Sequence, residues 1–272
     1  MAGQWVPGEG IGFYEWTHTG GQVIGNRDFF GGGANRERGA RPADMPLVIQ
    51  DCPQVFLTSR PPGNVIEPHF HEMPQYQVFF EGHGRVGKHP VRPITVHYTD
   101  AFTPYGPIVA SEDEGLAFYT LRGKTSNSGA HYMPQSRHRL ARKAGRAFTL
   151  EAEVRDRTAM TAVQQLIPRC NDGVEATLLS LAAGDHVRPD DSGPNGGRFL
   201  LVVSGALVQD GQEFARRSCI FVAPGEAAPE LAASSRGAQV LALQFAPYAG
   251  RASAGRVSSW VSAGRVSAGR RC

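Results

Sequence analysis

Between Pro46 and about Lys124 short apolar runs alternate with turn residues: PLVIQ, QVFLTS, NVIEPHFH, QYQVFF, ITVHYT and LAFYTLRG. Short runs rich in Val, Ile, Phe, Tyr and Thr, bounded by Gly, Pro, Asn and Asp, predict β-strands, and their regular spacing predicts a sandwich or barrel. A second set, ATLLSLA, RFLLVVSGALV, SCIFVAPG and QVLALQFA, occupies residues 175–247. The stretch between the sets starts basic and holds TAMTAVQQLI, whose spacing predicts a short helix. The organisation expected is therefore a first β unit over 46–124, a partly helical connector over 125–172 and a second β unit over 173–248. Residues 1–45 sustain neither a period of 2 nor one of 3.6. They read either as a Gly-rich arm that packs on a neighbour or a second subunit through Trp5, Phe13, Tyr14 and Trp16, or as a floppy leader. In the tail, SAGRVS recurs at Ser253 and Ser262, and Ser/Ala/Gly/Arg composition buries too little apolar surface to offset chain entropy. Disorder is expected over 249–272.

Composition narrows the class. With 41% hydrophobic and 19% charged residues among 272, the chain has material for a real core and is not of a disordered type. Its 33 glycines and 19 prolines disfavour coiled coils and all-α repeats. The net charge of +3 is set by the tail, where five arginines stand without an acid; residues 1–250 carry −2. Nucleic acid is not an expected partner of such a body. No run of roughly 18 apolar residues occurs, and MAGQWVPGEG lacks the order of a secretory signal, so a soluble, cytoplasmic protein without a membrane partner is expected. Cys52, Cys170, Cys219 and Cys272 form no CxxC and read as scattered reduced thiols.

Histidine is where the sequence becomes specific. His69 and His71 sit two apart in a strand-like run, so alternation puts both imidazoles, with Glu67, on one face. Two imidazoles on one face suit a shared metal ion. Gly63, five residues, His69-Phe70-His71, three residues, Gln75, six residues and Gly82 follow the spacing of the first cupin motif, and Pro104-Tyr105-Gly106 supplies the turn of the second. The chain thus resembles the cupin superfamily. That resemblance implies an all-β fold of jelly-roll barrels and a divalent metal, iron, manganese, nickel or zinc, held by His69, His71 and Gln75. The chain departs from the pattern in three places: Gln75 replaces a glutamate, Val109 the last ligand histidine and Tyr98 a glycine. A neutral amide in place of an anion weakens the hold on a divalent ion. His97 and Glu67 are the residues available to fill the gap.

Alternation places Gln75, Gln77 and Phe79 on one face of their strand and Tyr76, Val78 and Phe80 on the other. If Gln75 faces the barrel interior, Gln77 and Phe79 line a pocket with it, suited to a small polar or aromatic molecule, and Tyr98 and Tyr105 are further wall candidates. Aligning RFLLVVSG with QYQVFFEG pairs Arg198 with Gln75 and Gly205 with Gly82, and the second set's ligand positions become Ser192, Pro194, Arg198 and Ala228. None is a usual metal ligand, so the second barrel reads as a degenerate copy, and the whole as two jelly-roll barrels of a bicupin. Two functions follow. One is a metal-dependent enzyme of dioxygenase, isomerase or lyase type, with Glu67 as base; the other is a metal-free small-molecule-binding bicupin. A homodimer is expected from the arm. No nucleophile elbow or phosphate loop is present.

Overall fold

The computed structural model describes residues 6–10, 12–17, 21–30, 52–125, 129–140, 145–155, 160–190 and 195–247. Trp5, the side chains of Tyr14 and Trp16, Ser192, Pro194 and the tail lie outside them. The described residues are strands and turns, with one 3-10 turn at Arg137–Arg139 and no α-helix.

The first unit pairs a large sheet with a small one. In the large sheet Gly12–Thr17, Val23–Phe30, Gln54–Arg60, Leu116–Arg122, Gln75–Gly82, Thr95–Thr99 and Ala147–Glu151 lie side by side in that order. Val65–Ile66, Ile108–Ala110, Gly84–Val86 and His89–Val91 form the small sheet. The second unit is one folded-over sheet, led by Ala162–Ile167, Glu175–Leu181, Leu231–Gln244 and Arg198–Gln209, with Gln212–Ala215, Cys219–Val222 and His186–Val187 attached. All pairings are antiparallel, as expected where turns rather than crossovers join the strands.

Three expectations are corrected. Ala162–Ile167 is a strand paired with Glu175–Leu181, not a helix. The pattern of TAMTAVQQLI fits either period over so short a run, and the exposed edge of the second sheet settles it as extended. The arm is not irregular throughout: Gly12–Thr17 and Val23–Phe30 form a hairpin that extends the first unit's sheet, and Val6 bridges to Cys219 of the second unit. Of the cysteines, Cys170 and Cys219 are free, whereas Cys52 is disulfide-bonded.

Alternation decides what each face of these strands touches. Tyr76, Val78 and Phe80 join Tyr98, Tyr119 and Leu121 and meet Phe199, Leu201, Val203, Leu241 and Phe245 of the second unit in one shared core. Tyr76 ties the two units further by donating its hydroxyl to the carbonyls of Glu175 and Gln244, each at 2.9 Å. The opposite faces point into the barrels. In the second barrel the interior is aliphatic, with Leu179, Leu200, Val202, Ile220, Leu231 and Val240 all buried. In the first, Phe79, Val86, Ile108 and Phe118 fill one end, and a polar cluster fills the other.

The internal repeat is visible in two glycines. Gly82 and Gly205 both have left-handed backbones, at φ +67° and +65°, and a Cβ on either would meet a carbonyl oxygen, that of Gly115 at 2.3 Å or of Gly237 at 2.1 Å. Only glycine permits so close an approach of two strands in that conformation. Gly82 and Gly205 each follow by seven residues the equivalent strand positions Gln75 and Arg198.

Candidate functional site

The polar end of the first barrel is assembled from four strands. The short strand His69–Phe70 brings in His69, with His71 just beyond its end, Gln75–Gly82 brings Gln75 and Gln77, and Thr95–Thr99 brings His97. Arg122 ends the strand Leu116–Arg122, and Tyr105 comes from the turn after Thr103. Tyr105 is the hub. Its ring lies 4.5 Å from that of His69, 5.2 Å from that of His97 and 6.5 Å from that of His71, centroid to centroid. Its hydroxyl receives the Gln75 amide N–H at 2.5 Å.

Both motif histidines are fixed from behind by the backbone. His69 Nδ1 lies 2.7 Å from the Glu67 carbonyl oxygen and His71 Nδ1 lies 2.8 Å from that of Gly129. A carbonyl accepts only, so each Nδ1 carries the proton and each Nε2 carries the lone pair. The two rings stand edge to face at 5.2 Å. A strap from the connector covers them: His131–Tyr132 pairs with His69–Phe70, and the Tyr132 ring lies 5.7 Å from that of His69. Glu72 pins the strap, accepting from His131 Nε2 at 3.1 Å and from Arg139.

Burial makes these imidazoles neutral. Loss of hydration pushes His69 down to about 4, with the Arg122 guanidinium adding to the effect against the raising pull of the Glu67 carbonyl. His97 falls to about 4 for the same first reason. His71 lies well below the ordinary imidazole value, through burial and then Arg122. At neutral pH the site therefore presents uncharged rings that accept hydrogen bonds and are weak bases. The Tyr105 phenol is pushed up by burial and stays protonated.

Whether these residues fit a divalent ion is decided at Gln75. Its amide oxygen, the donor that would replace the glutamate, accepts from Arg122 Nε at 3.0 Å and from a second guanidinium nitrogen at 2.8 Å. Arg122 also donates to Gln54 Oε1 at 2.7 Å and is 1% exposed. The Gln75 oxygen thus faces a guanidinium that donates to it twice, and this buried cation stands beside the histidines. Among the described residues no three His, Cys, Asp or Glu side chains converge as a metal-binding group. His69 and His71 alone fit an ion; the remainder of the set does not.

The other residues singled out by sequence divide as follows. Gln77 and Phe79 face the interior with Gln75, at 3% and 0% exposure. Tyr98 does not. It follows His97 by one residue, so it points to the opposite side, lies in the core between the barrels and donates its hydroxyl to Asp100 at 2.8 Å. The side chain of Glu67 is exposed, and only its carbonyl takes part; the strand Val65–Ile66 ends before it, so strand alternation does not carry its side chain to the face of His69. Tyr105, a wall candidate from the sequence, is in the site, whereas Arg122 and the strap are residues the sequence did not single out. Alternation along LAFYTLR puts Arg122 on the side of Thr120 and would have found it; no local signal marks the strap.

No protein-family model and no curated protein sequence matches this chain. Solved structures do. The bacterial pirin YhhW of Escherichia coli, solved in complex with nickel(II), superposes with a TM-score of 0.58 at 11% identity, covering 90% of this chain and 99% of its own. A candidate dioxygenase of Nostoc punctiforme gives 0.57 at 10% identity, over 92% of this chain and 84% of its own. An oxalate decarboxylase variant of Bacillus subtilis gives 0.54 at 12% identity, over 92% and 79%. The protein is an all-β chain of two jelly-roll barrels. It has the bicupin fold of those structures.

Proposed function

We propose that the first barrel is a binding site for a small polar or aromatic molecule and that it works without a resident divalent metal. The observation that carries this reading is the double engagement of the Gln75 oxygen by Arg122. With that oxygen turned to a guanidinium cation, which repels a divalent ion, His69 and His71 are the remaining ligands, fewer than the three protein ligands usual for a catalytic site. Their Nε2 lone pairs serve as acceptors for N–H or O–H groups of a ligand, and the rings of Tyr105 and Tyr132 supply an aromatic wall. With His69 held near 4 and His71 well below the ordinary imidazole value by burial, both are poor proton acceptors at neutral pH, which favours recognition over proton abstraction.

A second reading, a metal-dependent enzyme of dioxygenase, isomerase or lyase type, has one observation in its favour. Carbonyl contacts at Nδ1 hold both histidines in the tautomer that metal-ligating histidines adopt, and a bicupin of similar fold was solved with nickel(II). The two readings separate in a binding experiment on the full chain. Phenol, which has one O–H donor and one ring, is titrated by protein-observed NMR in the presence of a chelator and again with nickel(II). Metal-independent binding predicts equal affinity in both conditions, metal content far below one ion per chain as purified, and at least a tenfold loss in the H69A/H71A double variant. Phenol binding that appears only with nickel(II) establishes the second reading instead.

A further inference from the structure

The two barrels carry the same rung with opposite chemistry. In the first, Gln77 pairs with His97 across the neighbouring strands; in the second, the equivalent rung pairs Leu200 with Ile220. The equivalence follows from register, since Gln75 pairs with Thr99 two residues before that rung and Arg198 pairs with Val222 at the same offset. It also follows from faces. Tyr76 and Val78 in one barrel, and Phe199 and Leu201 in the other, point into the shared core, leaving Gln77 and Leu200 to point inward.

Leu200 and Ile220 are each fully buried in the aliphatic interior of their barrel. Gln77 and His97 are buried to the same degree, 3% exposed each, yet Gln77 Oε1 and His97 Nε2 have no hydrogen-bond partner. A buried polar atom left without a partner costs stability, on the order of 1–3 kcal/mol. The fold does not require the cost, because the second barrel closes the same rung with hydrocarbon. His97 Nδ1 faces Thr149 Oγ1 at 2.8 Å with the Phe148 carbonyl alongside, so it holds the proton and Nε2 is an acceptor. Directly paired strand positions hold their Cβ atoms about 5 Å apart, so the two acceptors sit side by side, against the Tyr105 ring.

We infer that Gln77 and His97 form a donor-reading subsite: an amide oxygen and an imidazole nitrogen aimed at one O–H or N–H group on the inner end of an aromatic ligand. This rests on the first barrel being a ligand site and names what that ligand must present. The ligand class is a hydroxyl- or amine-bearing aromatic, with the ring against Tyr105 and its donor at the rung. An ether or methylated analogue of equal shape leaves both acceptors unpaired and binds more weakly.

The test compares phenol with anisole on the full chain by NMR titration, in wild type and in Gln77→Leu and His97→Ile, which copy the second barrel's residues. Wild type is expected to prefer phenol by about tenfold, and each substitution is expected to cut that preference to within about twofold. Relieving an orphaned acceptor is also expected to raise the Tm of unliganded Gln77→Leu by about 2–4 °C. Gln77→Met provides the same comparison with an unbranched side chain, should the leucine variant fail to fold. Equal affinity of wild type for both probes, or a preference that survives the substitutions, overturns the inference and leaves the pocket standing. A Tm that falls in every variant also overturns it, because the pair would then belong to the core itself. Failure of wild type to bind either probe overturns the pocket reading and this inference with it.

Discussion

The two barrels of this chain share strand order, a glycine pinch and an inter-barrel face, and differ in what they put inside. Even the rung at the barrel end is the same interaction with its partners exchanged. In the first barrel Gln75 accepts from Arg122 on the neighbouring strand; in the second Arg198, at the place of Gln75, donates to Gln244 Oε1 across its own neighbouring pair at 2.5 Å. An amide–guanidinium clasp that recurs with the residue types swapped reads as a closing element of the barrel. It accounts for Gln75 without a metal. What the second barrel does not repeat is the set His69, His71, Gln77, His97 and Tyr105, and function is argued from that difference.

The largest effect expected from this contrast comes from exchanging interiors. Placing the first barrel's amide at the second barrel's rung, Leu200→Gln, removes a fully buried side chain from an aliphatic cluster and inserts a polar group with no partner. The expected loss is about 3–5 kcal/mol in urea unfolding, from lost apolar burial and an unpaired amide together. A loss below about 1 kcal/mol would mean that the second interior is not the dry core described.

Acid should separate the barrels next. For His69 and His97 the folded state holds the imidazole near 4 while the unfolded chain titrates at 6.5. Between those values the unfolded state binds protons that the folded state refuses. The stability is therefore complete above about pH 6.5 and is lost as pH falls toward 4, by roughly 3 kcal/mol for each group. The second barrel's described histidine, His186, has 60% of its side chain exposed. Urea midpoints measured from pH 7 to 4 should fall steeply, and His97→Ile should flatten the curve by one group's share. Amide exchange should weaken first in strand Thr95–Thr99 and not in Cys219–Val222.

A smaller effect concerns metal. Gln75→Glu restores an anionic oxygen beside His69 and His71, but Arg122 competes for it. Nickel(II) affinity is expected to rise by about tenfold, some 1.4 kcal/mol, in isothermal titration. No change would show that Arg122 holds the carboxylate as firmly as it holds the amide.

How much of this was legible in the sequence follows from the period of the strands. Alternation in QYQVFFEG sorted Gln77 and Phe79 from Tyr76, Val78 and Phe80, and the structure has the same division. Spacing around His69 and His71 led to the cupin fold. The sequence failed where a contact depends on residues distant along the chain. Gly129 holds His71 from 58 residues away, and Arg122 reaches Gln75 across 47. Tyr98 was assigned to the wall because its strand had no anchored face; His97, one residue earlier, is the inward residue. The connector's TAMTAVQQLI failed for want of length, since a run of that size carries either period and only the sheet it joins decides.

Tyr98 and Glu67, the two residues that sequence placed in the site and the structure does not, give the smallest expected effects. Tyr98→Phe removes a hydroxyl bonded to Asp100 in the inter-barrel core, so stability should fall by about 1 kcal/mol with phenol binding unchanged. Glu67→Ala should change neither measurement. Its exposed carboxyl touches nothing in the site, and what fixes His69 is the residue's main-chain oxygen, which every substitution retains. Deletion of a base would abolish turnover, whereas loss of a surface carboxylate leaves the His69 ring in the same tautomer and orientation. A Glu67→Ala variant that loses phenol binding would therefore bring the carboxyl back into the site and undo the assignment of His69 as an acceptor held by the backbone alone.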